Sequence, residues 1–265
     1  MLDFGELTVN DSLPQHMTGV NVLSRTPNSP TGGRLGMVRT LGDFSSPNQL
    51  AVPGRRVAIG SVNGMNGRNY TTPGTAMQSL PRDISLGFVG AAAGGASVTP
   101  RLLQAFVPEL MSLRRNHTST VKSAFGQQLE VWGRFQISAA GGAMAVPHPF
   151  GIAVLVGGSD ERTTIGVDPL RKLLCIDGRA QGNPQPRCAP WRSSSEQHGN
   201  RREVVTIHAI IDHSILEVIV NNVTAITCSV APSGPHAGGL ALFGLGSEDA
   251  VAVDAWTLAD ANNCS

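Results

Sequence analysis

Short alternating runs of apolar residues, separated by turn residues, dominate the second half of the chain. Between residues 204 and 230, the apolar residues Val205, Ile207, Ala209 and Ile211 alternate with the polar Thr206 and His208, and the Asp212-His213-Ser214 corner follows. Two more apolar runs are divided by Asn221-Asn222. Strict alternation predicts half-buried β-strands, and turn residues between such runs predict hairpins. This half is therefore predicted to be an antiparallel β-sandwich.

The other predicted strands are short as well, and Gly (31) and Pro (17) favour turns over long helices. Together with the segments above, the strands are predicted at residues 4–9, 55–62, 75–80 leading into 81–86, 128–137, 150–156, 163–167, 172–176, 215–220, 225–230, 240–245 and 250–258. The predicted fold class is all-β.

The first half of the chain is less regular. Residues 11–54 lack a sustained period and are predicted to be a long insertion loop. Residues 102–113 fit either a short helix or an irregular packed linker, and Pro108 argues against a regular helix. The polar, aperiodic stretch 114–118 indicates a boundary, so we predict one domain at 1–113 and a second at 120–265.

The charge balance restricts the partners. Lys and Arg number 20 against 19 Asp and Glu, for a net charge of +1. Such a balance gives no field able to hold a phosphate backbone or an anionic membrane, and no apolar run reaches the roughly 18 residues of a membrane helix. We therefore expect neither a nucleic-acid nor a membrane partner.

The four cysteines are Cys175, Cys188, Cys228 and Cys264. They form no CxxC pair and no zinc-type cluster with histidine, so no metal and no cofactor is expected. Isolated buried thiols are the preferred interpretation, and one or two disulfides are compatible with secretion.

Glycosylation sequons, read as Asn-x-Ser/Thr, occur at five positions. Asn69, Asn116 and Asn222 are the candidate sites, and Asn10 and Asn263 also fit the pattern. No signal peptide is visible at the N-terminus.

Asp212-His213-Ser214 places the three residue types of a hydrolase triad side by side. Adjacent residues in an extended chain point to opposite faces, and a working triad needs hydrogen bonds of about 2.6–3.2 Å from Ser to His and from His to Asp. We therefore predict a turn, in which the Asp and Ser side chains bond nearby backbone groups.

Glu217 is a lone carboxylate in the apolar run 215–220. Because an unpaired buried carboxylate is costly, it is predicted to face solvent or to pair with a basic neighbour; lining a pocket is the alternative. His208, His213 and His236 show no metal spacing.

Several segments, in the same order along the chain, resemble the C-terminal part of glycoside hydrolase family 32, which includes the invertases and fructanases. The segments are Leu2-Asp3-Phe4-Gly5, Arg55-Arg56-Val57-Ala58-Ile59-Gly60, Gln78-Ser79-Leu80-Pro81-Arg82-Asp83-Ile84-Ser85-Leu86, Leu103 to Leu110 with Leu113-Arg114, Gly126 to Val131, Ile210-Ile211-Asp212-His213-Ser214-Ile215-Leu216-Glu217-Val218 and Val251 to Trp256. The Asp-x-Ser-x-x-Glu-Val piece is the most specific.

This resemblance implies a five-bladed β-propeller that carries the active site and packs on a C-terminal β-sandwich. The chain would then contain the remnant of the last blade, followed by the sandwich. The implied reaction is retaining hydrolysis of β-fructofuranosides such as sucrose, with an Asp nucleophile and a Glu acid/base about 5–5.5 Å apart. Asp3 and Phe4 are the candidate substrate-rim residues, and an extracellular or vacuolar location is implied.

The chain departs from the family in the parts that carry catalysis. The Asn-Asp-Pro-Asn, Arg-Asp-Pro and Glu-Cys motifs are absent, so no catalytic residue is assigned. Family aromatics are replaced at Ser61, around Thr75 and at Leu7-Thr8, and the inserts 11–54 and 177–200 match no part of the family.

Two interpretations remain open. In one, the chain is part of a β-fructofuranosidase whose catalytic carboxylates lie upstream. In the other, it is a non-catalytic sandwich that serves in interaction or carbohydrate binding. A site reassembled from the remaining carboxylates has little support. Since one blade alone leaves an apolar face uncovered, residues 1–112 are expected to be loosely ordered unless they dock on the sandwich.

Overall fold

The computed structural model describes residues 41–42, 44–52, 55–62, 77–89, 99–138, 148–158, 160–178, 186–191, 202–245 and 250–259. These residues form three sheets and two 3₁₀ helices, the latter at Pro108–Leu113 and Val121–Ser123. The strands are β1 Leu41–Gly42, β2 Phe44–Val52, β3 Arg55–Val62, β4 Met77–Gln78, β5 Arg82–Val89, β6 Thr99–Phe106, β7 Arg114–Thr118, β8 Gln128–Ser138, β9 Phe150–Val156, β10 Thr163–Asp168, β11 Leu173–Asp177, β12 Arg187–Pro190, β13 Arg202–Asp212, β14 Ile215–Val220, β15 Thr224–Ser229, β16 Gly239–Phe243 and β17 Ala250–Leu258.

Two sheets form the predicted β-sandwich. One has seven strands in the order β1-β15-β14-β13-β8-β17-β7, and the other has five in the order β12-β11-β10-β9-β16. Pairing is antiparallel except between β1 and β15. The all-β class and the antiparallel sandwich are therefore confirmed.

The alternation along β13 sorts its side chains between the two faces of the seven-stranded sheet. Val205, Ile207 and Ile211 point into the core between the sandwich sheets, where they are fully buried. His208 and Ile210 lie on the other face, which we call the outer face. Ile210 is buried too, so this part of the outer face is covered.

The third sheet provides that cover. Its strands run β2-β3-β5-β6, with β4 paired to β3. Phe106 from β6 packs in a second apolar cluster with Ile210, Ile219 and Ala225 of the outer face, and Leu80, Leu110 and Leu258 border it. The third sheet is thus docked on the sandwich. Docking of this kind was the condition under which the first 112 residues were expected to be ordered. The division at 113–120, and the origin of this sheet as a propeller blade, stay predictions.

Two local predictions are wrong. Part of the predicted insertion loop, Phe44–Val52, is a strand paired with β3. The register shifts between Ser45 and Asn48, and such a shift tolerates Pro47 within a strand. Thr99–Phe106 is also a strand and pairs with β5 along its whole length, so the short helix or packed linker predicted at 102–113 is wrong as far as residue 106. The rest of that range, Pro108–Leu113, is a short helix of the 3₁₀ type.

Two polar segments also form strands. Arg114–Thr118, predicted as the boundary stretch, is the edge strand β7 and pairs with β17. Within the insert 177–200, Arg187–Pro190 forms β12. The predicted strand at 4–9, the rest of the insertion loop from 11 to 40, and Asn10, Asn69 and Asn263 lie outside the described residues. Among the described helices, none has the length and apolarity needed to span a membrane.

Candidate functional site

The first polar cluster is a buried ion pair between the third sheet and the sandwich. Arg82 begins β5, and Glu217 lies on β14. The side chains are 2% and 0% exposed. Arg82 donates to Glu217 Oε2 from Nη2 and, at 3.1 Å, from Nε. The pair therefore joins two parts of the chain 135 residues apart.

Further donors complete the surroundings of the Glu217 carboxylate. Thr227 lies directly opposite on β15, and its hydroxyl donates to Glu217 Oε2 at 3.2 Å. The same hydroxyl oxygen accepts from Arg82 Nη2, and the backbone N–H of Leu80 donates to Glu217 Oε1. Glu217 therefore pairs with a basic residue, which is one of the alternatives predicted for it. The pair is fully buried and does not lie at the surface.

A second polar cluster centres on Glu130 of β8. Arg114 donates to both carboxylate oxygens, from Nε at 2.7 Å and from Nη2 at 2.6 Å, and His208 Nε2 lies 2.7 Å from Oε1. Burial acts to raise the pKa of Glu130, but the hydrogen bonds from Arg114 and His208 outweigh it and lower the pKa to about 2. The bond to Glu130 in turn raises the pKa of Arg114.

Aromatic rings border the Glu130 cluster. The Arg114 guanidinium lies 3.9 Å from the ring centroid of Trp256, and Phe106 meets the His208 ring edge-on at 4.8 Å. The cluster therefore touches both the third sheet, through Phe106, and the edge of the sandwich, through Trp256.

The two buried carboxylates do not form a hydrolytic pair. Glu130 on β8 and Glu217 on β14 are separated by β13, where Ile210 faces both in register. Two strand spacings amount to roughly 9–10 Å, and each carboxylate is held by its own guanidinium. A retaining glycosidase requires about 5–5.5 Å with the substrate between the two groups. These clusters can fix sheets to one another, but they offer no attacking and protonating pair.

Asp212-His213-Ser214 forms the predicted turn, between β13 and β14. His213 adopts a φ of 51°, and its Nδ1 lies 2.9 Å from Asp212 Oδ1. Asp212 also accepts from Gln128 Nε2 at 3.1 Å. Its observed partners are thus side chains, not the backbone groups that were predicted, because the pairing of β13 with β8 places Gln128 opposite it.

The remaining site predictions are scattered. Asp3 and Phe4 lie outside the described residues, while Asn116 on β7 and Asn222 in the turn after β14 are exposed. No group of three metal-ligating side chains occurs among the residues that the structure describes.

Cys175 and Cys188 form a disulfide, so the interpretation as isolated thiols is wrong for them. They lie opposite each other in the register of β11 and β12. The sequence pattern predicts no strand at β12, so this pairing could not be foreseen. Cys228 is buried, and Cys264 lies outside the described residues.

Sequence reasoning missed the roles of Arg82, Glu130, Arg114 and His208. The signal in the sequence was a lone carboxylate in each of two strands, 128–137 and 215–220, which demands a cation if the strand is covered. Choosing between 20 Lys and Arg residues as partners required the topology.

Comparisons with known proteins agree with this geometry. A family model described as "Glycosyl hydrolases family 32 C terminal" matches residues 109–257, more than half of the chain. A search of curated proteins gives no significant match.

Several solved structures share the fold. An exo-inulinase from Aspergillus awamori is 20% identical with a TM-score of 0.65, over 83% of this chain and 44% of that one. Fructan 1-exohydrolase IIa from Cichorium intybus is 18% identical with a TM-score of 0.55, over 84% and 49%. A fructofuranosidase from Schwanniomyces occidentalis complexed with fructose is 16% identical with a TM-score of 0.60, over 83% and 49%. The chain thus spans less than half the length of each.

Proposed function

The chain belongs to glycoside hydrolase family 32 through its C-terminal module, and on that premise we propose that it is a supporting, non-catalytic part of a β-fructofuranoside-processing enzyme. The substrate class would be β-fructofuranosides such as sucrose, cleaved with retention by residues outside this 265-residue chain. The third sheet would correspond to the last propeller blade, and residues 120–265 to the sandwich domain.

The buried Arg82–Glu217 pair is the observation that carries the proposal. It fixes the third sheet to the sandwich, with both charges removed from solvent. A buried pair held by several hydrogen bonds favours one relative orientation of the parts it joins, which suits a support for an active site built elsewhere. Absence of the family's three catalytic motifs from the sequence supports the same proposal.

An activity assay tests this proposal directly. The purified 265-residue chain is incubated with sucrose and with inulin, and released glucose and fructose are measured against a boiled control. We expect no release above the control, because no opposed carboxylates are found among the described residues to attack and protonate the glycosidic bond. Release by the native chain that the boiled chain lacks would overturn the proposal.

The upstream coding sequence separates the two interpretations left open by the sequence. An in-frame segment encoding Asn-Asp-Pro-Asn would favour a longer enzyme, with this chain as its C-terminal part.

A second candidate function, a carbohydrate-binding or interaction module, is favoured by one observation: Trp132 is exposed on the outer face of the sandwich.

An oxidising compartment is part of the proposal. The Cys175–Cys188 disulfide supports it, since such bonds persist mainly in secreted and luminal proteins. In that setting Asn116 and Asn222, both exposed, would be open to N-glycosylation, and an extracellular or vacuolar location would follow.

A further inference from the structure

Tryptophan is scarce in this protein, and two of its three tryptophans lie together. Trp191 is buried in the sandwich core. Trp132 of β8 and Trp256 of β17 both lie on the outer face, since Trp132 is opposite Asp254 and Trp256 is opposite Glu130 in the β8–β17 register. The Trp256 ring is covered by Arg114, whereas Trp132 is 36% exposed.

Polar residues lie next to Trp132 on the same face of the sheet. Asp254 lies directly across on β17, 35% exposed, and accepts from His117 Nε2 at 2.7 Å when that nitrogen carries the proton. His117 is 50% exposed on the edge strand β7. Arg134, two residues along β8 on the same face, is exposed as well. We call Trp132, Arg134, Asp254 and His117 the Trp132 face.

The covered and the exposed halves of the outer face differ in composition. Where the third sheet packs, the outer face presents Ile210, Ile219 and Ala225. Around Trp132 of β8 and Trp256 of β17, the outer face instead carries two indoles with charged neighbours, and Trp132 is the exposed one. A protein partner that binds through an apolar interface core would find little apolar surface here. The same region offers several side chains that can form hydrogen bonds.

We propose that the Trp132 face binds a neutral carbohydrate chain, with β-fructan as the ligand. An indole ring accepts the apolar C–H face of a sugar, and the carboxylate, imidazole and guanidinium around it exchange hydrogen bonds with hydroxyl groups. The charges compensate locally, since the Trp132 face carries one carboxylate, Asp254, and one guanidinium, Arg134, while Glu130 is paired with Arg114. A face without a single-sign field selects a neutral ligand over a polyanion. The choice of fructan rests on the proposed function.

Affinity electrophoresis with soluble inulin in the gel tests the proposal on the whole chain. The wild-type chain is expected to be retarded by inulin, with no loss of retardation at higher salt because the ligand carries no charge. Trp132→Ala should weaken binding roughly tenfold, and Trp132→Phe, which keeps an aromatic face, should bind with intermediate strength. Phe125→Ala removes another exposed aromatic ring away from this face and should bind like the wild type.

Four results would overturn the proposal. The first is unchanged mobility of the wild-type chain at every inulin concentration. The second is equal retardation of Trp132→Ala and the wild type when their thermal melting shows both to be folded. The third is preferential, salt-sensitive retention by a sulfated polysaccharide, and the fourth is self-association of the wild type that Trp132→Ala abolishes. Fructose release is scored separately: it would refute the non-catalytic role and leave the binding result standing.

Discussion

Arg82 and Glu217 are removed from water together, and each is stabilised by the other. The carboxylate receives donors from Arg82, Thr227 and Leu80, which replace the hydration lost on burial. The arginine depends on Glu217 as its buried counter-charge. We expect removal of one partner to cost far more than removal of both.

This expectation gives the first stability prediction. Glu217→Leu should lower the free energy of unfolding by about 3–5 kcal/mol, because Arg82 then stays buried without its carboxylate. The double variant Arg82→Met/Glu217→Leu should recover most of that loss. Denaturant titration measures both, and Asp212→Asn, at an exposed carboxylate near the same hairpin, serves as a control with a change within about 0.5 kcal/mol. A small effect of Glu217→Leu alone would contradict the assigned pairing.

Glu130 makes stability depend on acid pH. Its pKa is about 2 in the folded chain against an ordinary value of 4.5. A lowered folded-state pKa means that its contribution is fully present above pH 4.5 and is lost as the pH falls towards 2. Urea denaturation at several pH values should therefore show a shallower decline for Glu130→Gln than for the wild type within this window. Parallel declines would show that the folded-state pKa is not lowered.

At the scale of the strands, one glycine allows β9 and β10 to approach closely. Gly151 of β9 has a φ of +156°, and a Cβ placed there would lie 2.0 Å from the carbonyl oxygen of Ile165. Gly151→Ala should lower the free energy of unfolding by about 2–3 kcal/mol, because backbone cannot yield as a flexible side chain does. Gly158→Ala is the matched control, because a Cβ placed at Gly158 would have no neighbouring atom within 4 Å. This variant should leave the melting temperature nearly unchanged. Equal melting temperatures for the two variants would refute this account of the close approach.

The strands differ in how readily the sequence predicts them. Phe150–Val156, Ile215–Val220 and Ala250–Leu258 have the predicted bounds because apolar or alternating runs end at turn residues. Phe44–Val52 was missed because Pro47 and Asn48 are typical of turns, and only pairing with β3 overrides that tendency.

The candidate site was predictable only in part. Glu217 stood out as a carboxylate within an apolar strand, and pairing with a base followed from the cost of burial. Local pattern carries no information about a partner 135 residues away, so Arg82 was not identified. Arg82 and Glu217 both lie in segments that resemble the family. The order of such segments along the chain does not reveal which side chains are in contact.

For the molecule as a whole, the third sheet depends on the sandwich more than the sandwich depends on it. The sandwich has its own large apolar core, whereas the third sheet shares a small cluster around Phe106. Limited proteolysis should therefore cut before residue 113 first and leave roughly 120–265 as the resistant product. Glu217→Leu should speed the early cuts without changing the later ones. Cleavage that begins within the sandwich would refute this order of stability.

The distance along the chain between Arg82 and Glu217 has a consequence for biosynthesis. Ribosomes add about 5–20 residues per second, so Arg82 is added to the chain about 7–27 seconds before Glu217. Throughout that interval the third sheet has neither its counter-charge nor the surface that covers Phe106. The nascent chain is then most open to aggregation and to capture by chaperones, and slower translation through 107–217 would prolong the exposure.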